Sequence, residues 1–192
     1  MIEISERLYT VEELWELIGE SDDYKLAELI DGELIVVRGS GAVSAILAGS
    51  LLTKIANFVY ENKLGYVTGA DGHFVLATEP KSVAVIPDVA FVRKDRMPKP
   101  VPKKFIHLAP DLAIEVISPT DRAKDIRRKI DTYLKYDTEL IWIVYPASER
   151  IDVYRLSDKT HTETLGIDDT LSGENVLSGF QLSIKDIFAS AE

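Results

Sequence analysis

The chain has 192 residues, of which 46% are hydrophobic and 28% charged, and it contains no cysteine. This composition fits one globular domain over residues 1–192 and excludes disulfide bonds and thiolate metal sites. The net charge of −10 argues against a protein that coats nucleic acid without specificity, because such proteins are basic.

The sequence also indicates a compartment. No run approaches the roughly 18 apolar residues of a membrane span. The N-terminal stretch MIEISERLYTVEE lacks the apolar core of a secretory signal. Together with the absence of cysteine, these features predict a cytoplasmic protein with no membrane partner.

Two local patterns predict the first elements. Thr10 is followed three residues later by Glu13, which is a capping box before an apolar stripe, so a short helix is expected here. Next, the Asp-Gly pair at 31–32 divides two apolar-rich runs and supplies the positive φ angles of a type I′ turn. The β-hairpin that results places Glu28 and Glu33 as diagonal neighbours on one face.

The middle of the chain alternates between helix, strand and loop. Helical spacing of apolar residues predicts a long helix over 44–62. Strands are expected near 66–68 and 73–77, and at 83–92, which reads VAVIPDVAFV. The Pro-rich, basic stretch RKDRMPKPVPKKF is a loop, either simply solvated or placed to contact phosphates.

The second half begins with the most hydrophobic strand, 112–117. A helix is predicted to follow, with Ser118 as its N-cap and Pro119 in its first turn. Strands at 140–145 and 151–155 come next. This order of helices and strands predicts an α/β fold with a sheet between helices.

Two of these core strands each contain one acid: Glu115 interrupts 112–117, and Asp88 interrupts 83–92. A buried carboxylate without a partner costs several kcal/mol, so each acid needs a cation. If the strands pair, the two acids converge, and a divalent cation that prefers oxygen would relieve their repulsion. Asp111 lies about 13 Å from Glu115 along the strand, too far to share an ion with it.

The helix after this strand offers a protein cation. Asp125, Lys129 and Tyr133 lie on one face beside the apolar stripe, so Lys129 could reach back toward Glu115. The alternative is a surface ion pair between Asp125 and Lys129, worth a few tenths of a kcal/mol.

Several motifs together resemble one family. IPDVAFV, PDLAIEVISP, DIRRKIDTYLKY and LIWIVYP have the order and spacing of the bacterial Uma-two family, within the PD-(D/E)XK nuclease superfamily. ELIDGELIVV and LSGFQLSIKDIF also match, so the resemblance covers nearly the whole chain. It implies a restriction-endonuclease-like core: a mixed central sheet flanked by helices, preceded by an N-terminal helix and a β-hairpin.

The resemblance also implies roles for individual residues. Asp88 would be the acid of the PD motif and Glu115 the acid of the second half. With the backbone carbonyl of Val116 they would hold Mg²⁺, for which Mn²⁺ can substitute. Lys129 matches the family's displaced catalytic lysine, and Glu33 matches an acidic position of the hairpin. The implied activity is metal-dependent hydrolysis of phosphodiester bonds, with DNA as the expected partner.

Some positions depart from the family pattern or stay open. Ile117 stands where the superfamily has its lysine, and Val43 stands where family members usually carry a histidine. Glu28 is the alternative to Glu33 as a further acid of the site.

Three functions therefore compete. The first is a metal-dependent endonuclease, which a two-fold homodimer would suit if both strands of a duplex are cut. The second is a nuclease fold that has lost catalysis and binds nucleic acid or protein. The third is a structural or interaction protein in which Glu115 and Lys129 form a buried salt bridge.

Overall fold

The computed structural model describes residues 7–36, 39 and 41–191. Residues 1–6, which begin the stretch used to judge a secretory signal, lie outside this part. The helices are α1 (Val11–Glu20), α2 (Ala42–Glu61), α3 (Ala123–Lys135) and α4 (Ile184–Phe188). The strands are β1 (Ala27–Ile30), β2 (Glu33–Val36), β3 (Gly65–Gly69), β4 (Phe74–Ala77), β5 (Val83–Val85), β6 (Val89–Arg93), β7 (Leu112–Val116), β8 (Leu140–Tyr145), β9 (Arg150–Arg155), β10 (Asp158–Leu165), β11 (Thr170–Ser172) and β12 (Gln181–Ser183).

A six-stranded mixed sheet forms the centre of the molecule, in the order β10-β9-β8-β7-β6-β3. β7 and β8 pair in parallel, joined by α3, while the other neighbours are antiparallel. Every residue of β7 is buried, as expected for a strand covered on both faces. The predicted mixed sheet between helices is confirmed.

A smaller four-stranded sheet, in the order β2-β1-β5-β4, packs on one face of the central sheet. Its hairpin has the predicted register, with Ile30 opposite Glu33, and both Asp31 (φ 52°) and Gly32 (φ 80°) have positive φ. Ala27 and Leu29 pack toward α1, whereas Ile30 packs toward the central sheet and α3. Because side chains alternate along a strand, Glu28 also points toward the central sheet.

Helix α2 covers the opposite face of the central sheet. Leu47, Leu51, Ile55 and Val59 are fully buried there. By length and composition α2 could span a membrane, with a mean hydropathy of 1.6, which corrects the expectation that no run approaches such a span. Core helices of globular proteins meet the same criterion, so this is weak evidence for a membrane segment.

Two predicted boundaries were wrong. The strand expected over 83–92 is two strands in different sheets, because Pro87 has no N–H to donate and restricts the residue before it. Helix α3 begins at Ala123 rather than at Ser118. The Asp121 carboxylate accepts the Ser118 backbone N–H at 2.7 Å, which closes a turn before the helix.

Candidate active site

The two predicted strand acids come together at one end of the central sheet. β6 and β7 are antiparallel with Val89 opposite Ile114, so the next position places Asp88 opposite Glu115. Both side chains point to the face covered by α3 and the smaller sheet. Asp88 Oδ2 accepts the backbone N–H of Val116 at 2.7 Å, which fixes this carboxylate at the strand end.

Lys129 lies among these acids. Its Nζ is 2.8 Å from Glu115 Oε1 and 3.0 Å from Glu28 Oε1. It also donates to the carbonyl oxygen of Ile86 at 3.4 Å. The lysine side chain is only 19% exposed, so its ammonium reaches inward to buried carboxylates.

The structure brings Glu28, and not Glu33, to this cluster. Glu28 is 2% exposed, whereas the side chain of Glu33 is 42% exposed and pairs with Arg128 at 2.7 Å. The sequence contains a signal for this choice: Glu28 interrupts the apolar run LAELI in the way that Glu115 interrupts LAIEV. The segment before the hairpin turn is buried throughout, while the segment after it lies on the edge strand of its sheet.

Tyr133 completes the cluster from one turn further along α3. Its side chain is fully buried, and its hydroxyl donates to Glu115 Oε1 at 2.6 Å. Sequence reasoning placed Tyr133 on the face of Lys129 but gave it no role. Glu115 Oε1 therefore receives both a phenol and an ammonium.

Burial sets the protonation of these groups. It raises the pKa of Asp88, and it raises that of Glu115 to about 8, helped by Asp88 and Glu28 and opposed by Lys129. Burial alone would lower the pKa of Lys129, but the carboxylates of Glu115 and Glu28 raise it well above its ordinary value. Lys129 is therefore a permanent cation facing Glu28, Asp88 and Glu115, which leaves a surplus of acids over cations.

The family model described as "Putative restriction endonuclease", named Uma2, matches residues 11–185. The chain belongs to this family. Its fold is similar to that of a protein from Anabaena variabilis ATCC 29413 described as a "putative nuclease belonging to DUF820", with a TM-score of 0.78 and 21% identity. The match covers 93% of this chain and 98% of that one. No curated protein matches the sequence.

These findings confirm two expectations. Membership of Uma2 confirms the resemblance that the motifs indicated, and it supports a nuclease as the class of enzyme. The solved structure, at its low sequence identity, speaks for the fold alone, and it agrees with the mixed α/β core.

The donor atoms at the cluster fit a hard divalent cation. Mg²⁺ is usually held by one or two carboxylates, with waters or substrate phosphates completing its shell. Asp88 and Glu115, with the backbone carbonyl of Val116, supply oxygen donors of this kind. Within the described part of the chain, no three His, Asp or Glu side chains are placed to hold one ion.

The basic loop between β6 and β7 lies far from these acids. It begins after Arg93 and returns at Asp111, both at the ends of their strands opposite to the cluster. Arg96 pairs with the fully buried Asp111 at 2.8 Å, and Arg93 pairs with it as well. These ion pairs hold the start of the loop at that end of the sheet, so the loop is not placed to bind phosphate at the acidic cluster.

The two positions that depart from the family pattern lie near the end of β7. Val43 is 48% exposed in the first turn of α2, and Ile117 directly follows the strand. The buried Ser44, next to Val43 in sequence, donates a hydrogen bond from its hydroxyl to the Ile117 carbonyl at 3.1 Å. The start of α2 is thus fixed against the strand that carries Glu115.

Proposed function

We propose that the protein is an endonuclease that uses Mg²⁺, or Mn²⁺ in its place, to hydrolyse phosphodiester bonds of DNA. The observation that carries this proposal is the meeting of Asp88, Glu115 and Lys129 at one end of the central sheet. Uma2 membership supports the same class of enzyme. A fold that had lost catalysis would be expected to have lost one of these three side chains.

In this proposal, Asp88, Glu115 and the carbonyl of Val116 hold the ion. Held there, a divalent ion would supply a Lewis acid for the scissile phosphate and would lower the pKa of a bound water. The backbone N–H of Val116 holds the Asp88 carboxylate, and the Tyr133 hydroxyl holds that of Glu115. Both acids are thus oriented before any ion arrives.

Lys129 acts by charge rather than as a base. The neighbouring carboxylates raise its pKa, which favours the ammonium over the neutral amine that a base would need. A fixed ammonium beside the acids instead stabilises the negative charge that develops on the phosphate oxygens.

The first experiment titrates Mn²⁺ into the wild type and into Asp88→Asn and Glu115→Gln by calorimetry, and follows nicking of supercoiled plasmid with Mg²⁺. Both variants should lose metal binding and should cleave at least about 100-fold more slowly, because the ion supplies several kcal/mol of transition-state stabilisation. Asp131→Asn is the matched control, since Asp131 is an exposed acid of α3 that pairs with Arg127. Cleavage by both site variants at the wild-type rate would refute the proposal.

Thermal unfolding separates the nuclease from a purely structural cluster. A ligand that binds only the folded state raises the midpoint of unfolding. The wild type should therefore unfold at a higher temperature with Mn²⁺, and Glu115→Gln should show no such shift. If Glu115 and Lys129 form only a structural salt bridge, Mn²⁺ will leave the midpoint of both proteins unchanged.

A further inference from the structure

Glu28 is a buried acid that the proposed chemistry does not use. It lies on β1 in the smaller sheet, whereas the proposed metal ligands lie on the central sheet. Its carboxylate is almost completely buried, at 2% exposure. An acid in this position is stable only if fixed donors satisfy it.

Both donors of Glu28 meet at a single oxygen. Oε1 accepts the backbone N–H of Ile86 at 2.7 Å and the ammonium of Lys129 at 3.0 Å. Lys129 in turn donates to the carbonyl of Ile86 at 3.4 Å. Glu28, Ile86 and Lys129 therefore form a closed triangle that joins β1 and the segment between β5 and β6 to α3.

This triangle fixes the ammonium completely. A lysine ammonium has three N–H donors on a flexible stem. Those of Lys129 have three acceptors, namely Glu115 Oε1, Glu28 Oε1 and the Ile86 carbonyl. Without Glu28 the ammonium would keep Glu115 and the more distant Ile86 carbonyl, and its position would be less constrained.

The triangle also fixes one of the strand acids. Ile86 is two residues before Asp88, and Pro87 between them has a restricted φ angle. A hydrogen bond to the Ile86 backbone therefore constrains the position of the backbone that leads to Asp88. One oxygen of Glu28 thus contacts Lys129 directly and is linked to Asp88 through the backbone of Ile86 and Pro87.

We propose that Glu28 is a positioning residue, which sets the distance between the Lys129 ammonium and the Asp88 carboxylate without binding metal or substrate. The inference rests on the proposed nuclease function. It assigns Glu28 no contact with the ion, because both donors to its Oε1 come from the protein.

The test compares Glu28→Gln with the wild type in single-turnover and steady-state cleavage of plasmid DNA. Glutamine can still accept the Ile86 N–H, but it offers Lys129 only a neutral oxygen. We expect kcat to fall about 100-fold, the loss that misplacement of a catalytic group by about 1 Å can produce. KM and the Kd for Mn²⁺ should stay within about threefold of wild type, because neither substrate nor metal touches Glu28.

Two further variants test whether the loss of kcat is specific to the position and charge of the Glu28 carboxylate. Glu28→Asp keeps the charge on a shorter side chain, so its kcat should lie between those of Glu28→Gln and the wild type. Glu139→Gln is the control, because it removes a partly exposed acid that pairs with Arg93 at the other end of the sheet. It should leave kcat at the wild-type value. An unchanged kcat in Glu28→Gln would overturn the proposal, and loss of Mn²⁺ binding would instead make Glu28 a metal ligand.

A second readout does not depend on cleavage. Nitrogen-15 NMR of lysine side chains should detect the Lys129 ammonium in the wild type as a slowly exchanging signal, identified by its absence in Lys129→Met. This signal should disappear in Glu28→Gln and persist in Glu139→Gln. If the wild type cuts no nucleic acid, the proposed function fails, while the NMR signal still decides whether Glu28 positions Lys129. A signal that persists in Glu28→Gln would overturn the positioning role.

Discussion

Glu115 shows how a carboxylate can be kept inside a core strand. Its Oε1 accepts one hydrogen bond from the Tyr133 hydroxyl and one from the Lys129 ammonium. The hydrogen bond from the charged ammonium is stronger than one between neutral groups, so this oxygen is satisfied inside the core. The second oxygen is then available to bind the metal ion of the proposed function.

The pKa of Glu115 predicts how metal binding depends on pH. Burial raises this pKa to about 8, so the metal-free site retains a proton at neutral pH. A metal ion binds only the deprotonated carboxylate, and the affinity for Mn²⁺ should therefore rise with pH up to about 8 and level off above it. Calorimetry across this range, in buffers of different ionisation enthalpy, would measure both the affinity and the proton released. An affinity independent of pH, with no proton release, would contradict the prediction.

Among the elements, those with strong local signals were predicted most closely. The capping box of Thr10 and Glu13 begins α1, and the positive φ angles at Asp31 and Gly32 turn the hairpin. The errors occurred where contacts between residues distant in sequence determine the secondary structure. Nothing within 83–92 tells which sheet each half joins, and the Asp121 bond that delays α3 resembles a capping bond in sequence.

The turn of the β1–β2 hairpin allows a test of how one element contributes to stability. Gly32 has φ +80°, and a Cβ there would lie 3.2 Å from Leu8 Cβ. Gly32→Ala should reduce the free energy of unfolding by about 1–2 kcal/mol, because a Cβ is strained in the left-handed region. Gly49 in α2 has no heavy atom within 4 Å of such a Cβ, and Gly49→Ala should stabilise the protein by about 0.5–1 kcal/mol. Urea unfolding measures both, and equal signs would contradict the prediction.

Across the whole molecule, the site is built from two sheets and a helix. The sequence could predict that Asp88, Glu115 and Lys129 meet. One acid directly precedes β6 and one interrupts β7, and α3 follows β7 with Lys129 beside its apolar stripe. The apolar run LAELI favours Glu28 over Glu33 as a buried acid, but the contact of Glu28 with Lys129 depends on how the smaller sheet packs against the central one. The catalytic roles of these residues remain predictions.

Global stability should depend on pH through His73. Burial lowers the pKa of His73, although Ala27, Asp71 and Glu28 oppose this shift, and its Nε2 lies 3.1 Å from the Ala27 carbonyl. The unfolded chain therefore takes up a proton near pH 6.5 that the folded chain resists, so stability falls as pH drops below about 6.5, by at most about 1.4 kcal/mol per pH unit from this group.

The measurement is urea unfolding of the wild type and His73→Gln between about pH 5.5 and pH 7.5. The variant should lose less stability than the wild type as pH falls over this interval. Identical pH dependence in the two proteins would show that His73 does not contribute.

The triangle of Glu28, Ile86 and Lys129 also affects when a newly synthesised chain can first assemble its active site. A ribosome-bound fragment that ends before α3 already carries Glu28 and Glu115, but it has no ammonium to place between them. Burying these carboxylates together without a cation is costly, so we expect the smaller sheet to stay undocked until α3 has emerged. The nascent protein would thus be unable to cut nucleic acid beside the ribosome, and competence would arrive only with the helix that carries its cation.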